Sequence, residues 1–367
     1  MTRLTPPAGP GPPHTAARPP RRADPSGEAP STGAGLVLRR VGAGLVLALI
    51  TSAASCAHAP QPLPALTTRR WHEDLATFGR ELPRRHKSAF HHVSRDSFEH
   101  ALADLDRRLP GLSGDEVYFG LRHITSLIGD GHTGLLVPTN FHRYPLVLRP
   151  FGDDLRVVRA GGEALPLASQ TPLRSAAADT ALWLRRRPQP LWWAPLGDSC
   201  LFVSFRGYTR LARYARPMWR EIDRRGIRTL IVDLRLNGGG NFITGRHQMV
   251  DPARRRLAAG TLRQVIALIG NSTFSAAMVN AIDFRTRCGA VLVGEPIGER
   301  PNSFSERRVT RLPHSRIGVT YSVRWYAFRS DRASPTVMPD ARVEPTWDDW
   351  RAGRDPVLEW AVAHRAR

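Results

Sequence analysis

From Phe202 onward, short apolar runs alternate with helix-patterned segments, and that alternation restricts the architectures open to the chain more than any other feature. "CLFVSFRGY" reads as a strand, "ARYARPMWREIDRRG" as a helix closed by Gly226, and "RTLIVDLRL" as a buried strand ending at a run of glycines. "RQVIALIG", a helix over "SAAMVNAIDFRTR" and "CGAVLVGE" continue the series. Strands that are apolar throughout must be covered on both faces, so the pattern predicts an α/β layered core with a largely parallel sheet. Ligands of such sheets sit at the carboxyl ends of the strands. The glycines of "NGGGN" and the turn carrying Ser275 both follow strands, which places both at that edge.

The 367 residues suffice for one large or two moderate domains. Residues 1–34 are rich in Pro, Gly, Ala, Ser and Thr and have almost nothing to bury, so they are expected to be disordered. Residues 35–59 carry the pattern of an export signal. Arg39 and Arg40 precede an apolar run from Val41 to Ala54, too short for a membrane span and right for a secretory h-region. Ala53, Ala54 and Ser55 lead into Cys56 in an arrangement that resembles a bacterial lipoprotein box, with Ala53 where leucine is usual. Cys56 is therefore the candidate lipidation site, and an ordinary signal peptide is the alternative. Either way the protein is expected to be exported, anchored in the cell envelope or secreted. Residues 68–135 read as a small helical N-terminal domain, with cap-like serines opening two of its segments. Residues 144–364 read as the α/β core, entered through the β-type runs "YPLVLRPF" and "DLRVVRA".

The formal net charge of +21 comes almost wholly from arginine, because Lys87 is the only lysine. These arginines are scattered through every segment and form no nucleic-acid motif, so no specific nucleic-acid partner is expected. Cys200 and Cys288 remain after export, and spacing alone does not say whether they pair. The histidines lack ligand spacing, and His91 and His92 are adjacent, so no metal site is expected, nor any cofactor.

Within "NSTFSAAM", Ser275 stands between a strand and a helix. It is either a helix cap or a nucleophile presented at the positive end of the helix. The second role requires a base and an oxyanion hole. With no lysine downstream of Ser275, the base must be a histidine, and His132 in "SLIGDGHTGLLVP" is the candidate because flanking glycines hold it in a tight turn. Backbone N–H groups of Gly238 or Gly239, together with that of Ala276, could face a developing negative charge. The glycine run lacks both the G-x-G-x-x-G spacing and a P-loop lysine, and a plain tight turn is its competing reading.

In order and spacing, "LRHITSLIGDGHTGLLVP", "LIVDLRLNGGGNF", "NSTFSAAM", "VGEPIGERPNSFSE" and "MPDARVEPTWDDWRAGRDPVLEWAVAH" resemble the C-terminal-processing (tail-specific) serine peptidases, a family that includes the tricorn core protease. The likeness runs from about Trp71 to His364. It implies a crotonase-like (ClpP-like) fold, a nucleophile at Ser275, and an oxyanion hole from Gly238, Gly239 and Ala276. The processing peptidases proper use a downstream lysine, absent here. The tricorn-like branch uses a histidine, matched by His132, and a later acidic residue, matched by Asp331 in "RSDRASP". The implied function is an exported serine endopeptidase acting on peptide or protein substrates through an acyl-enzyme. Two departures stand out: the stretch from Arg159 to Pro190 lacks a PDZ-like pattern, and the "GEPTGG" of the family is "GEPIGE". They keep open the alternative of an inactive member that binds a peptide or apolar ligand, and the charge of +21 keeps open that of a basic protein that binds anionic envelope polymers.

Overall fold

Apolar residues three and four apart build the first three helices, α1 (Thr68–Arg85), α2 (Arg95–Arg108) and α3 (Gly114–Ser126). Trp71, Leu75, Phe78 and Leu82 form the buried stripe of α1. Ser94 accepts the amide of Ser97 at the start of α2, and Ser113 forms a reciprocal capping box with Glu116 at the start of α3. The computed structural model describes residues 65–137, 146–151, 154–160, 182, 185, 189–329 and 334–366. The proline-rich leader, residues 35–59 with Cys56, expected from the sequence to be an export signal, and Asp331 lie outside the described residues.

Beyond α3 come β1 (Gly134–Leu135) and an antiparallel hairpin of β2 (Leu146–Phe151) and β3 (Asp154–Ala160). The core follows as β4 (Leu191–Pro195), β5 (Cys200–Phe205), α4 (Leu211–Arg225), β6 (Thr229–Asp233), α5 (Phe242–Gly245), α6 (Asp251–Ala258), β7 (Gln264–Ile269), α7 (Ala276–Cys288) and β8 (Val291–Gly294). A long ribbon of β9 (Asn302–Arg311) and β10 (Gly318–Ala327), a short β11 (Ala341–Arg342), α8 (Trp347–Arg351) and α9 (Pro356–Ala363) complete the chain.

Six strands form the central sheet in the order β11-β8-β7-β6-β5-β4. Strands β5 to β8 are mutually parallel, β11 runs parallel to β8, and β4 pairs antiparallel with β5 at the other edge. The expectation of a mixed α/β fold with a largely parallel sheet is met. Its side chains alternate between two apolar clusters. Leu230 and Val232 of β6 join Met218, Ile222, Met278 and Phe284 on one face, while Ile231 joins Phe202, Leu268, Val357 and Ala361 on the other. Both faces are covered, which is why these strands carry no polar alternation.

The ribbon forms a second sheet, β1-β10-β9. Leu312, Ile317, Val319 and Tyr321 from its length bury against Phe78, Phe98, Val117 and Leu121, so the amino-terminal helices and the ribbon share one apolar cluster. Cys200 and Cys288 are free thiols, and burial pushes both up to about 11. Among the described residues no helix is long and apolar enough to cross a membrane.

Candidate active site

Strand β7 ends at Ile269, and a tied-down turn separates it from α7. Thr273 Oγ1 donates to the carbonyl of Leu234 and accepts the amide of Gly270, each at 3.0 Å, while the Phe274 amide donates to the carbonyl of Asn237 at 3.0 Å. The turn delivers Ser275 at φ 54° and ψ −120°. A non-glycine residue held there costs on the order of 1–3 kcal/mol, and such strain persists only where the surroundings impose it. The side chain makes no capping bond to α7, so the helix-cap reading of this serine fails. Its Oγ lies 3.0 Å from His132 Nε2 instead, across 143 residues of sequence.

His132 is placed by Asp130, two residues before it. Asp130 Oδ1 accepts the amides of His132 and Thr133 at 2.9 and 2.8 Å and the Ser322 hydroxyl at 2.8 Å; Oδ2 contacts His86 Nε2 and the Thr133 hydroxyl, each at 2.8 Å. Burial alone would raise the Asp130 carboxyl, but the partners His86, Thr133 and Ser322 and the His132 amide outweigh it and hold the group down to about 2. The loop is thereby locked to α1's C-terminal flank and to β10. The imidazole stacks on Phe274, with ring centroids 4.9 Å apart. A Cβ on Gly131 would lie 2.7 Å from that phenyl ring, which explains the glycine before the histidine. Burial lowers the His132 pKa, and the positive charge of Arg307 acts in the same direction against the pull of Asp130 and of the Phe304 backbone.

The glycine run meets the serine turn. Gly239 has φ +101°, and a Cβ there would lie 2.7 Å from Ser275 Cβ and 3.2 Å from the Ala276 nitrogen. Only glycine leaves the space in front of that amide open. The Gly239 amide donates to Asn237 Oδ1 at 3.0 Å, whereas the amides of Gly238 and Ala276 donate to no acceptor among the described residues. Asn237, fully buried, also donates from Nδ2 to the carbonyl of Phe205 at 2.9 Å, which pins the loop to the carboxyl end of β5. Ser275, His132, Gly238, Gly239 and Ala276 all line one cleft of about 640 Å³. Its opposite wall is β9 and β10, with Arg307, Arg324 and Tyr326, and its apolar side includes Phe242 and Ile243.

Two further groups were not singled out as site residues in the sequence. Ser305 Oγ approaches His132 Nε2 at 3.2 Å, from β9. Glu299 is the second of the two positions, after Ile297, at which "GEPIGE" departs from "GEPTGG". One carboxylate oxygen accepts the Ser275 amide, and the other lies 3.6 Å from His132 Nδ1, with the side chain only 4% exposed. Burial pushes this carboxyl up to about 7, against the hydrogen bonds of the Ser275 amide and the Ser303 side chain.

No protein-family model matches the sequence, and no curated protein matches it. Solved structures do. The crystal structure of a CPAF mutant aligns with a TM-score of 0.51 at 9% identity, over 78% of this chain and 95% of that one. Mature CPAF complexed with lactacystin aligns at 0.48 and 10% identity, over 80% and 97%. The photosystem II D1 C-terminal processing protease aligns at 0.42 and 17% identity, over 75% and 93%. At 9% identity the likeness to the CPAF mutant speaks for the fold alone, and the mixed α/β fold of this chain is similar to it.

Proposed function

We propose that the protein is an exported serine endopeptidase of the C-terminal-processing/tricorn type, with Ser275 as nucleophile and His132 as its general base. The observation that carries this is the 3.0 Å contact of Ser275 Oγ with His132 Nε2 at a strained turn. A histidine whose pKa is lowered by burial is neutral at pH 7 and can accept the hydroxyl proton. Ser275 Oγ then attacks a substrate carbonyl, and the amides of Gly238 and Ala276 receive the oxyanion, with Gly239 supplying the room for it. His132 returns the proton to the leaving amine, and water releases the acyl-enzyme by the same steps in reverse roles. No metal or cofactor enters these steps.

The order of the five sequence motifs supports a peptide or protein as substrate, as does an open cleft of about 640 Å³ beside Ser275. Cys56 is proposed as a lipid attachment site at the end of the export signal. Hydrolysis of an unfolded protein substrate at neutral pH, abolished by Ser275→Ala, is the expected result. Binding of peptide without turnover in both proteins would instead favour the non-catalytic alternative.

A further inference from the structure

We propose that Glu299 is the acid that positions His132, and that Ser275 becomes a nucleophile only when this carboxylate is ionised. The inference rests on the Ser275–His132 mechanism above and adds to it a residue and a protonation state. For His132 Nε2 to accept the serine proton, the resting proton of the neutral ring must sit on Nδ1. Nδ1 is buried with no hydrogen-bond partner among the described residues, and it faces Glu299 Oε1 at 3.6 Å. A closure of well under 1 Å would bring the two into hydrogen-bond range. Such closure is favoured as the ring becomes an imidazolium, because the bond is then assisted by charge on both sides. The second oxygen of the same carboxylate already accepts the Ser275 amide. One side chain therefore fixes the backbone of the nucleophile and faces the far side of its base.

Protonation reverses the arrangement. A neutral Glu299 would donate its O–H to Nδ1, leaving the ring proton on Nε2, where it faces Ser275 Oγ and cannot accept from it. Glu299 is faced by His132 and Asp130 from the loop after α3, Ser303 from β9 and the Ser275 amide from the serine turn, while Arg307 and the Phe304 backbone of β9 act on His132. Burial pushes Glu299 up to about 7; the Ser275 amide and Ser303 oppose the rise, and the charge of Asp130 adds to it. Burial lowers the His132 pKa, so the ring is the acceptor of this pair, and the acid limb of activity is assigned to Glu299 on the contacts its carboxylate makes with both Ser275 and His132.

The test is the rate of covalent labelling of Ser275 by a fluorophosphonate, measured on the full chain across the neutral range. In the wild type the rate should rise through about pH 7. Glu299→Gln should lose that limb and label at least about tenfold more slowly above it. Ser303→Ala, which removes a bond that favours the carboxylate, should move the limb to higher pH, and it decides the matter should Glu299→Gln fail to fold. Asp331→Asn should leave the limb where it is, whatever its effect on rate. A limb unchanged in Glu299→Gln or in Ser303→Ala, or one displaced by Asp331→Asn, would overturn the role of Glu299 while leaving the Ser275 mechanism intact. A wild type that takes no label at any pH would overturn that mechanism and this inference together.

Discussion

Ser275 is held in an unfavourable backbone conformation by its neighbours, while its own side chain contributes no cap to α7. Replacing it with alanine should therefore leave the free energy of urea unfolding within about 0.5 kcal/mol of wild type, while eliminating turnover. His132→Ala should lower turnover about a hundredfold or more, read from kcat/KM at pH 8. Glu299 shows the opposite balance, a group kept at a cost to stability. Its folded pKa of about 7 lies above the ordinary 4.5, so the native state binds its proton more tightly than the unfolded chain does. Stability is thus greatest below the unfolded value and is lost as pH rises from there through about 7. The full loss amounts to about 3 kcal/mol. Glu299→Gln should become progressively more stable relative to wild type between pH 5 and pH 8 in paired denaturation curves. A difference that does not change with pH would contradict the burial of an ionised carboxylate at this position.

At the scale of elements, the site is a meeting of three strand ends and one loop. β6 supplies the glycine run, β7 the serine turn, β9 the opposite wall, and the loop after α3 the histidine. Gly239→Ala is the sharpest probe of that meeting. Its φ of +101° disfavours any side chain, and the added Cβ would press on Ser275 and on the Ala276 amide. It should lower kcat by about a hundredfold or more, the cost of one oxyanion donor, with a smaller change in KM. Much of this geometry was legible in the sequence because it follows from local rules. The apolar runs gave the strands, Ser94 and Ser113 gave the helix starts, and the glycines marked where chain must approach chain. Glu299 was not legible as a partner. Its position registered only as a departure from a pattern, and its contacts, to a residue 24 positions earlier and to His132, exist only once the ribbon closes over the sheet. The same holds for Asn237, whose side chain joins β5 to the glycine loop by two bonds that no local periodicity announces.

For the molecule as a whole, the two ends of the α/β core are tied by a buried charge cluster. Arg235, just past β6, is paired with Asp233 at 2.8 Å and with Asp355 at 2.7 Å, all nearly inaccessible to water. Asp355 also caps α9 through the Leu358 amide. Asp355→Ala leaves Asp233 on Arg235 but strips the buried guanidinium of two acceptors and α9 of its cap, so it should cost about 2–5 kcal/mol in urea unfolding. A loss under 1 kcal/mol would mean that α9 is not fixed to the sheet in this way. Cys56→Ser should convert a membrane-associated mature protein into a soluble one, checked by fractionation of cells producing the full chain. The arginine surplus imposes no comparable demand, since many of these side chains pair locally with acids, as Arg84 and Arg85 do with Glu81. The central claim is that this fold presents one activated serine, and peptide mapping after fluorophosphonate treatment at pH 8 tests it most directly. The account predicts a single adduct on Ser275, absent in Ser275→Ala and strongly slowed in His132→Ala; an unmodified Ser275 in the folded wild type, or an adduct formed equally fast without His132, would contradict it.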